Sequence, residues 1–328
     1  MAGRVVVTLL VSLVALMSRV TAREFDYCYS YESDPYLLMG TKTAYQFVQG
    51  KNGLPPIPSC TPVQIWVLSR HGTRYPDRTT ILQMSTLSKL RDQIIYNHDN
   101  RGNGRLCDAD LGHLKSWQMN PRVNDNTADF LTIPQGEQDM RLLAKRLQSG
   151  FPELLRPNPL NINHQNYRFR STQAQRTRAS LDSFMEGLFN NRDAVPADIS
   201  PPDDTLLRAA KNCPTWESSL ERDRVDYESE LFVNSYEYQN LLQNVSRRLG
   251  FLHRINNESI ELMYDMCRYE KAWDVSRLSP WCSVFNKEEM KILEYHEDLH
   301  FFYYSGPGRD INRRLGCPLI KDMFNHFK

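Results

Sequence analysis

An α/β fold is predicted by three stretches of the sequence. Val63 to Leu68 is an apolar run rich in β-branched residues, which reads as a strand buried on both faces, as in a parallel sheet. Thr80 to Tyr96 then places Ile81, Met84, Leu87, Leu90, Ile94 and Ile95 at helical spacing, giving an amphipathic helix suited to pack on that sheet. Further on, Tyr167 and Phe169 alternate as in a short strand, and a Ser/Thr cap leads into a helix carrying Leu181, Phe184, Met185 and Leu188.

The amino-terminal residues bear on the compartment. Arg4 precedes an apolar run from Val5 to Met17, and Val20-Thr21-Ala22 fits signal-peptidase cleavage, so residues 1–22 are expected to be a signal peptide. The apolar run is too short to span a bilayer comfortably. All seven cysteines (Cys28, Cys60, Cys107, Cys213, Cys267, Cys282, Cys317) follow it and are expected mostly to pair, although an odd number cannot pair completely. Sequons at Asn244 and Asn257 agree with a glycosylated secretory protein. A net charge of +1 over 328 residues gives no global pull toward nucleic acid or an anionic membrane. No metal-ligand spacing is present.

Between these stretches, residues 23–60 are rich in tyrosine and turns and end in Gly-Leu-Pro-Pro-Ile-Pro, a semi-rigid lead-in to the first strand. Asn97 to Asn126 is rich in Asn, Asp and Gly and reads as loop, with His98 and His113 expected to be exposed. Leu131-Thr-Ile-Pro-Gln-Gly136 opens a helix running through Leu142, Leu143 and Leu147 toward Phe151. Prolines and aspartates break the chain from Val195 to Thr215. Residues 216–253 then read as helices without a strand signal, an inserted helical unit. The stretch from Met290 is a helix, then Tyr-Ser-Gly-Pro-Gly, then Leu315 to Phe324.

Chemistry concentrates just past the first strand, in Arg70-His71-Gly72-Thr73-Arg74-Tyr75-Pro76. Polar groups beyond the carboxyl end of a buried strand sit where open α/β sheets place ligands. Two guanidiniums that close would repel each other unless an anion lay between them, and the arginine fork suits phosphate oxygens. A histidine beside that anion is a candidate nucleophile. Arg176 stands in the first turn of the later helix, awkward for the helix dipole but natural if an anion sits nearby.

The pattern Arg-His-Gly-x-Arg-x-Pro, with Leu131-Thr132-x-x-x-Gly136 and Arg170-Ser-Thr-x-x-x-Arg176-Thr177, resembles the histidine acid phosphatases. Gly40-Thr-Lys42-Thr, Ser279-Pro-Trp-Cys282 and Cys317-Pro-Leu-x-Lys-Asp322 make it most similar to the multiple inositol-polyphosphate phosphatases within that family. The resemblance implies a sheet of the phosphoglycerate-mutase type with helices on both faces and an inserted, mainly helical cap. It divides the chain into a phosphatase domain (23–96, 131–190 and 265–328) and cap insertions (97–130 and 191–264). It implies a phosphomonoesterase of inositol polyphosphates in which His71 attacks phosphorus to form a phosphohistidine. Arg70, Arg74 and Arg176 would hold the equatorial oxygens, with Lys42 as a further substrate-binding candidate and no cofactor. Cys267 and Cys282 flank a short segment and are expected to be bonded, worth about 3 kcal/mol in the chain-entropy model. The same loop recurs in phytases and inositol-phosphate phosphatases, and Cys60 occupies a position bonded in phytases.

The family also carries a proton-donating His-Ala-Glu or His-Asp after a later strand, and none is found. His296-Glu297-Asp298 falls in a helical pattern and reads as a solvated helix face. The chain is therefore expected to be a short form truncated before its proton donor. An inactive phosphate-binding form and a general acid phosphatase are the alternatives. A monomer without a membrane span after signal cleavage is expected in the secretory pathway, in the endoplasmic reticulum lumen, secreted or on the cell surface.

Overall fold

The structure, a computed structural model, describes residues 25–32, 38–50, 57–155 and 158–328; the expected signal peptide and most of the proline-rich lead-in lie outside them. Eleven helices of seven residues or more dominate the described residues, beside one two-stranded parallel sheet.

The predicted strand Val63 to Leu68 belongs to no sheet, and Val63, Val67 and Leu68 are exposed. A doubly buried strand needs a ladder partner on each side, and among the described residues none lies beside this one. It is anchored by Ile65, which packs into the neighbouring apolar cluster, and by Trp66, whose Nε1–H donates to Asp322 at 3.0 Å.

The predicted helix over Thr80 to Tyr96 is two helices, α1 (Arg78–Met84) and α2 (Leu87–Asp99). Asp77 caps α1 by accepting from the Thr80 N–H at 3.0 Å. At the break, the Ser85 and Thr86 hydroxyls donate to the carbonyls of Leu82 and Gln83 at 2.6 and 2.7 Å, local bonds that compete with the helical ladder. Met84 and Leu87, on either side of the break, are both fully buried.

The stretch expected to be loop contains α3 (Asp108–Ser116). Its sequence signal is weak because only Leu111 and Leu114 anchor it, but Cys107 is bonded to Cys28 and the buried Asp110 accepts from both Tyr29 N–H and Ser30 N–H. His98, expected to be exposed, is fully buried: Nδ1–H donates to the Ile94 carbonyl at 2.8 Å and Nε2 accepts from Leu106 N–H at 3.1 Å. With both ring nitrogens satisfied and one of them accepting, the ring is neutral and structural. His113 is exposed as expected.

Helix α4 (Gln135–Gly150) and helix α5 (Gln175–Phe189) pack on each other around Ala144, Met185 and Leu188. The predicted short strand is β1 (Arg170–Ser171), which pairs in parallel with β2 (Asp198–Ile199). The residue at the head of α5 is Ala174, whose side chain has no acceptor, so the expected Ser/Thr cap is absent; Thr172 instead meets Thr177 through its hydroxyl at 2.7 Å.

The remainder is helical: α6 (Pro214–Arg222), α7 (Tyr227–Val233), α8 (Tyr236–Arg248), α9 (Asn257–Trp273), α10 (Lys287–Tyr304) and α11 (Asp310–His326). One large apolar core gathers Met84, Ile94, Leu114, Trp117, Tyr238, Met263, Trp281 and Met290, drawing on both the expected body and the expected cap. Asn244 is half-buried on α8, and Asn257 donates to Glu261 while accepting from Tyr238. Neither sequon asparagine therefore stands clear of the surface.

The Cys267–Cys282 bond is present, with Cα atoms 4.7 Å apart, beside the unforeseen Cys28–Cys107 bond. Four of the seven cysteines thus pair, as expected for most of them, and Cys60, Cys213 and Cys317 are free thiols. They sit on separate pieces of the fold: the lead-in, the head of α6 and the middle of α11.

The core contains one bidentate ion pair. Arg248 donates to both carboxylate oxygens of Glu289 at 2.7 and 3.0 Å and to the Val284 carbonyl at 2.8 Å. Both residues are under 5% exposed. Removing one partner strands a buried charge, so Glu289→Ala should destabilise the fold by about 3–5 kcal/mol, read as a lower thermal midpoint. An unchanged midpoint would show that the pair is not desolvated.

Candidate active site

The turn after the Val63 to Leu68 segment is held by backbone. Tyr75 N–H donates to the Phe130 carbonyl, Thr132 N–H to the Thr73 carbonyl, and Asp129 N–H to the Pro76 carbonyl, all at 2.8–2.9 Å. The Thr132 hydroxyl donates to the same Thr73 carbonyl and accepts from Gly136 N–H, tying the turn to the first turn of α4. A Cβ on Gly72 would lie 2.3 Å from the Gly136 carbonyl oxygen, and one on Gly136 would lie 2.2 Å from the Thr73 carbonyl oxygen. Both positions require glycine because two backbones touch there. Asp139, one helical turn further along α4, accepts from Thr73 N–H and its hydroxyl at 2.9 and 2.6 Å.

His71 projects from this turn, half-buried, with Nδ1 2.8 Å from the Gly72 carbonyl. A carbonyl only accepts, so Nδ1 carries the proton and Nε2 is left with its lone pair. Burial, joined by repulsion from Arg70, Arg176 and Arg74, depresses the imidazole from the ordinary histidine value to about 4, against the opposing pull of the Gly72 carbonyl. At neutral pH the ring is uncharged among cations.

The three arginines converge. Arg74 Nη1 lies 2.9 Å from Asp129 Oδ1, and Arg176 Nη1 lies 3.5 Å from that same oxygen. Burial lowers the Arg176 guanidinium, and Arg74, Arg70 and Arg208 add repulsion that Asp129 offsets. Its Nε–H is buried and makes no hydrogen bond among the described residues. Arg70 is exposed at the mouth of the turn. Arg178 also faces solvent, so the helix aims one arginine in and one out.

Lys42 is placed differently from the expectation. Its ammonium lies 3.0 Å from Glu297 and 3.4 Å from Asp265, so its charge is committed to two carboxylates. Glu297 also pairs with the buried Arg268, and it is therefore not on a solvated helix face, although the segment is helical as read. Asp298 alone of His296-Glu297-Asp298 is exposed. Cys28, Cys107 and Asp110 are the cluster of metal-ligand types among the described residues, but both sulfurs form the disulfide.

The family model of the histidine phosphatase superfamily (branch 2) matches residues 63–328. The chain belongs to this family. The multiple inositol polyphosphate phosphatase 1 of Drosophila melanogaster is 37% identical over 98% of this chain and 68% of its own length. The human protein of that name is 30% identical over 89% of this chain and 60% of its own length. The repressible acid phosphatase of Saccharomyces cerevisiae is 22% identical over 88% of this chain and 60% of its length. The chain thus spans about two thirds or less of these relatives. The crystal structure of the phytase from D. castellii superposes with a TM-score of 0.57 at 18% identity, covering 79% of this chain and 54% of that one; this likeness shows the α/β histidine phosphatase fold.

In this histidine phosphatase, sequence reading missed Asp129, Asp139, Ser180 and Gln175. Ser180 accepts from Gly72 N–H at 3.0 Å, and Gln175 accepts from Leu131 N–H at 2.9 Å. Each acts on backbone across a long sequence interval, and a lone Ser, Gln or Asp carries no local pattern that announces this. Gly136→Ala should push α4 off the turn, lowering stability by about 2 kcal/mol and weakening inorganic phosphate binding at least tenfold. Gly150→Ala at the other end of α4 meets open space and serves as the control. Equal effects of the two would show that backbone contact does not set the site.

Proposed function

We propose that this chain is a phosphomonoesterase acting on inositol polyphosphates through a phosphohistidine. The observation that supports it is the neutral His71 with its free Nε2 inside the cluster formed by Arg70, Arg74 and Arg176. Nε2 attacks phosphorus, the bond to the ester oxygen breaks, and the alcohol departs once its oxygen takes up a proton. Water then attacks the phosphohistidine, returning the nitrogen and releasing inorganic phosphate. The guanidiniums neutralise the oxygens as charge spreads over them, and such positioning and electrostatic terms supply most of the rate in sites of this kind. The disulfides and the similarity to named phosphatases support a secretory route, and we place the enzyme in the endoplasmic reticulum lumen or outside the cell, as a monomer. No helix among the described residues is long and apolar enough to cross a membrane.

Turnover of para-nitrophenyl phosphate, whose leaving group barely needs a proton, tests the nucleophile. His71→Ala should abolish it, and Arg176→Ala should lower it by about 10²-fold. Persistent turnover without His71 sinks the assignment.

The pH profile follows from the depressed imidazole. Below a pKa of about 4 the ring protonates and loses its lone pair. The value of kcat/KM should therefore be level above that pH on the acid side and fall tenfold per pH unit below it. An acid limb near the ordinary histidine value would show that the ring is neither buried nor crowded by the arginines.

A further inference from the structure

A cleft of about 570 Å³ adjoins the catalytic turn, walled by Thr41, Arg70, Asp298, Phe301, Phe302 and Ser305. Among these residues Arg70 is the one cation and Asp298 the one anion. Asp298, Phe301 and Phe302 stand three and four residues apart on α10, so one face of that helix presents a carboxylate beside two aromatic rings. The preceding residue, Glu297, turns the other way, to Lys42 and Arg268.

We propose that this cleft receives the substituent next to the scissile phosphate, and that Asp298 makes it select a free hydroxyl over a second phosphate. The inference rests on the phosphate-site reading of Arg70, Arg74 and Arg176. A hydroxyl in the cleft donates a hydrogen bond to the carboxylate, a charge-assisted bond of the stronger kind. A phosphate in the same place brings like charge against it with a single arginine to compensate. The aromatic wall suits the C–H face of a cyclitol ring and offers no further donor to an anion. Burial and then the neighbouring Glu297 push Asp298 above the ordinary aspartate value, the signature of a carboxylate short of positive neighbours. Arg208 lies close enough to Arg176 to repel it, so the cationic charge gathers around Arg176 and not along the α10 wall. A substrate with several phosphates is then favoured with its free hydroxyl, and not a phosphate, against α10. The substrate class is partly dephosphorylated inositol phosphates, ahead of the hexakisphosphate.

The test is affinity, measured calorimetrically on the whole chain for inorganic phosphate, myo-inositol 1-phosphate and inositol hexakisphosphate. Asp298→Asn should tighten the hexakisphosphate about fivefold, leave inorganic phosphate unchanged, and alter the monophosphate less than twofold. Asp298→Ala, which removes the hydroxyl's acceptor as well as the charge, should also weaken the monophosphate by about two- to threefold. Equal changes for both esters, or no change for either, would overturn the selection. A wild-type chain that fails to bind inorganic phosphate would remove the site and the inference together. A chain that binds these ligands but turns over no ester counts against the phosphomonoesterase reading alone.

Discussion

Direct contact between two backbones governs the geometry of the site. The Thr73 carbonyl is gripped by the Thr132 amide and hydroxyl, and Gly136 passes so close that no side chain fits between. His71 and Arg74 flank this clamp within the turn, and Arg176 reaches the neighbouring Asp129 from α5. A site built this way has little freedom, because shifting α4 by an ångström moves His71 and Arg74 together. That rigidity suits a mechanism in which positioned charge does most of the work.

Three guanidiniums brought together are a stored repulsion. The fold tolerates it through Asp129, whose carboxylate reaches both Arg74 and Arg176 from a residue at φ of 63°. An aspartate accepts that left-handed backbone more readily than most residues do. Burial is the main reason that His71 stays uncharged at neutral pH, and the repulsion adds to it.

Much of this was legible in the sequence. Arg70, His71 and Arg74 stood out by residue type and spacing, Arg176 only through the resemblance of its segment to the family motif, and the helices of residues 216–253 by their apolar periodicity. The failures have physical causes. Val63 to Leu68 has the composition of a buried strand, but burial is a property of neighbours, and among the described residues no strand flanks it. His98 sat in a polar, glycine-rich stretch and was read as exposed, yet the fold closes over it and satisfies both ring nitrogens. Lys42 looked like a free cation because its two carboxylate partners are more than 200 residues away. Periodicity sees neighbours a few residues apart; partners hundreds of residues apart leave no trace in it.

The same long reach shapes how the chain must assemble. Tyr27 donates to the Ser283 carbonyl, and the segment around it is pinned by Cys107 and Asp110, while Gly40 N–H is held by Glu294. Cys107 and Asp110 follow this segment by about 80 residues, but Ser283 and Glu294 come some 250 residues after it. Tyr27 and Gly40 therefore wait for their partners until the residues around α10 have been made. High contact order of this kind slows folding and lengthens exposure.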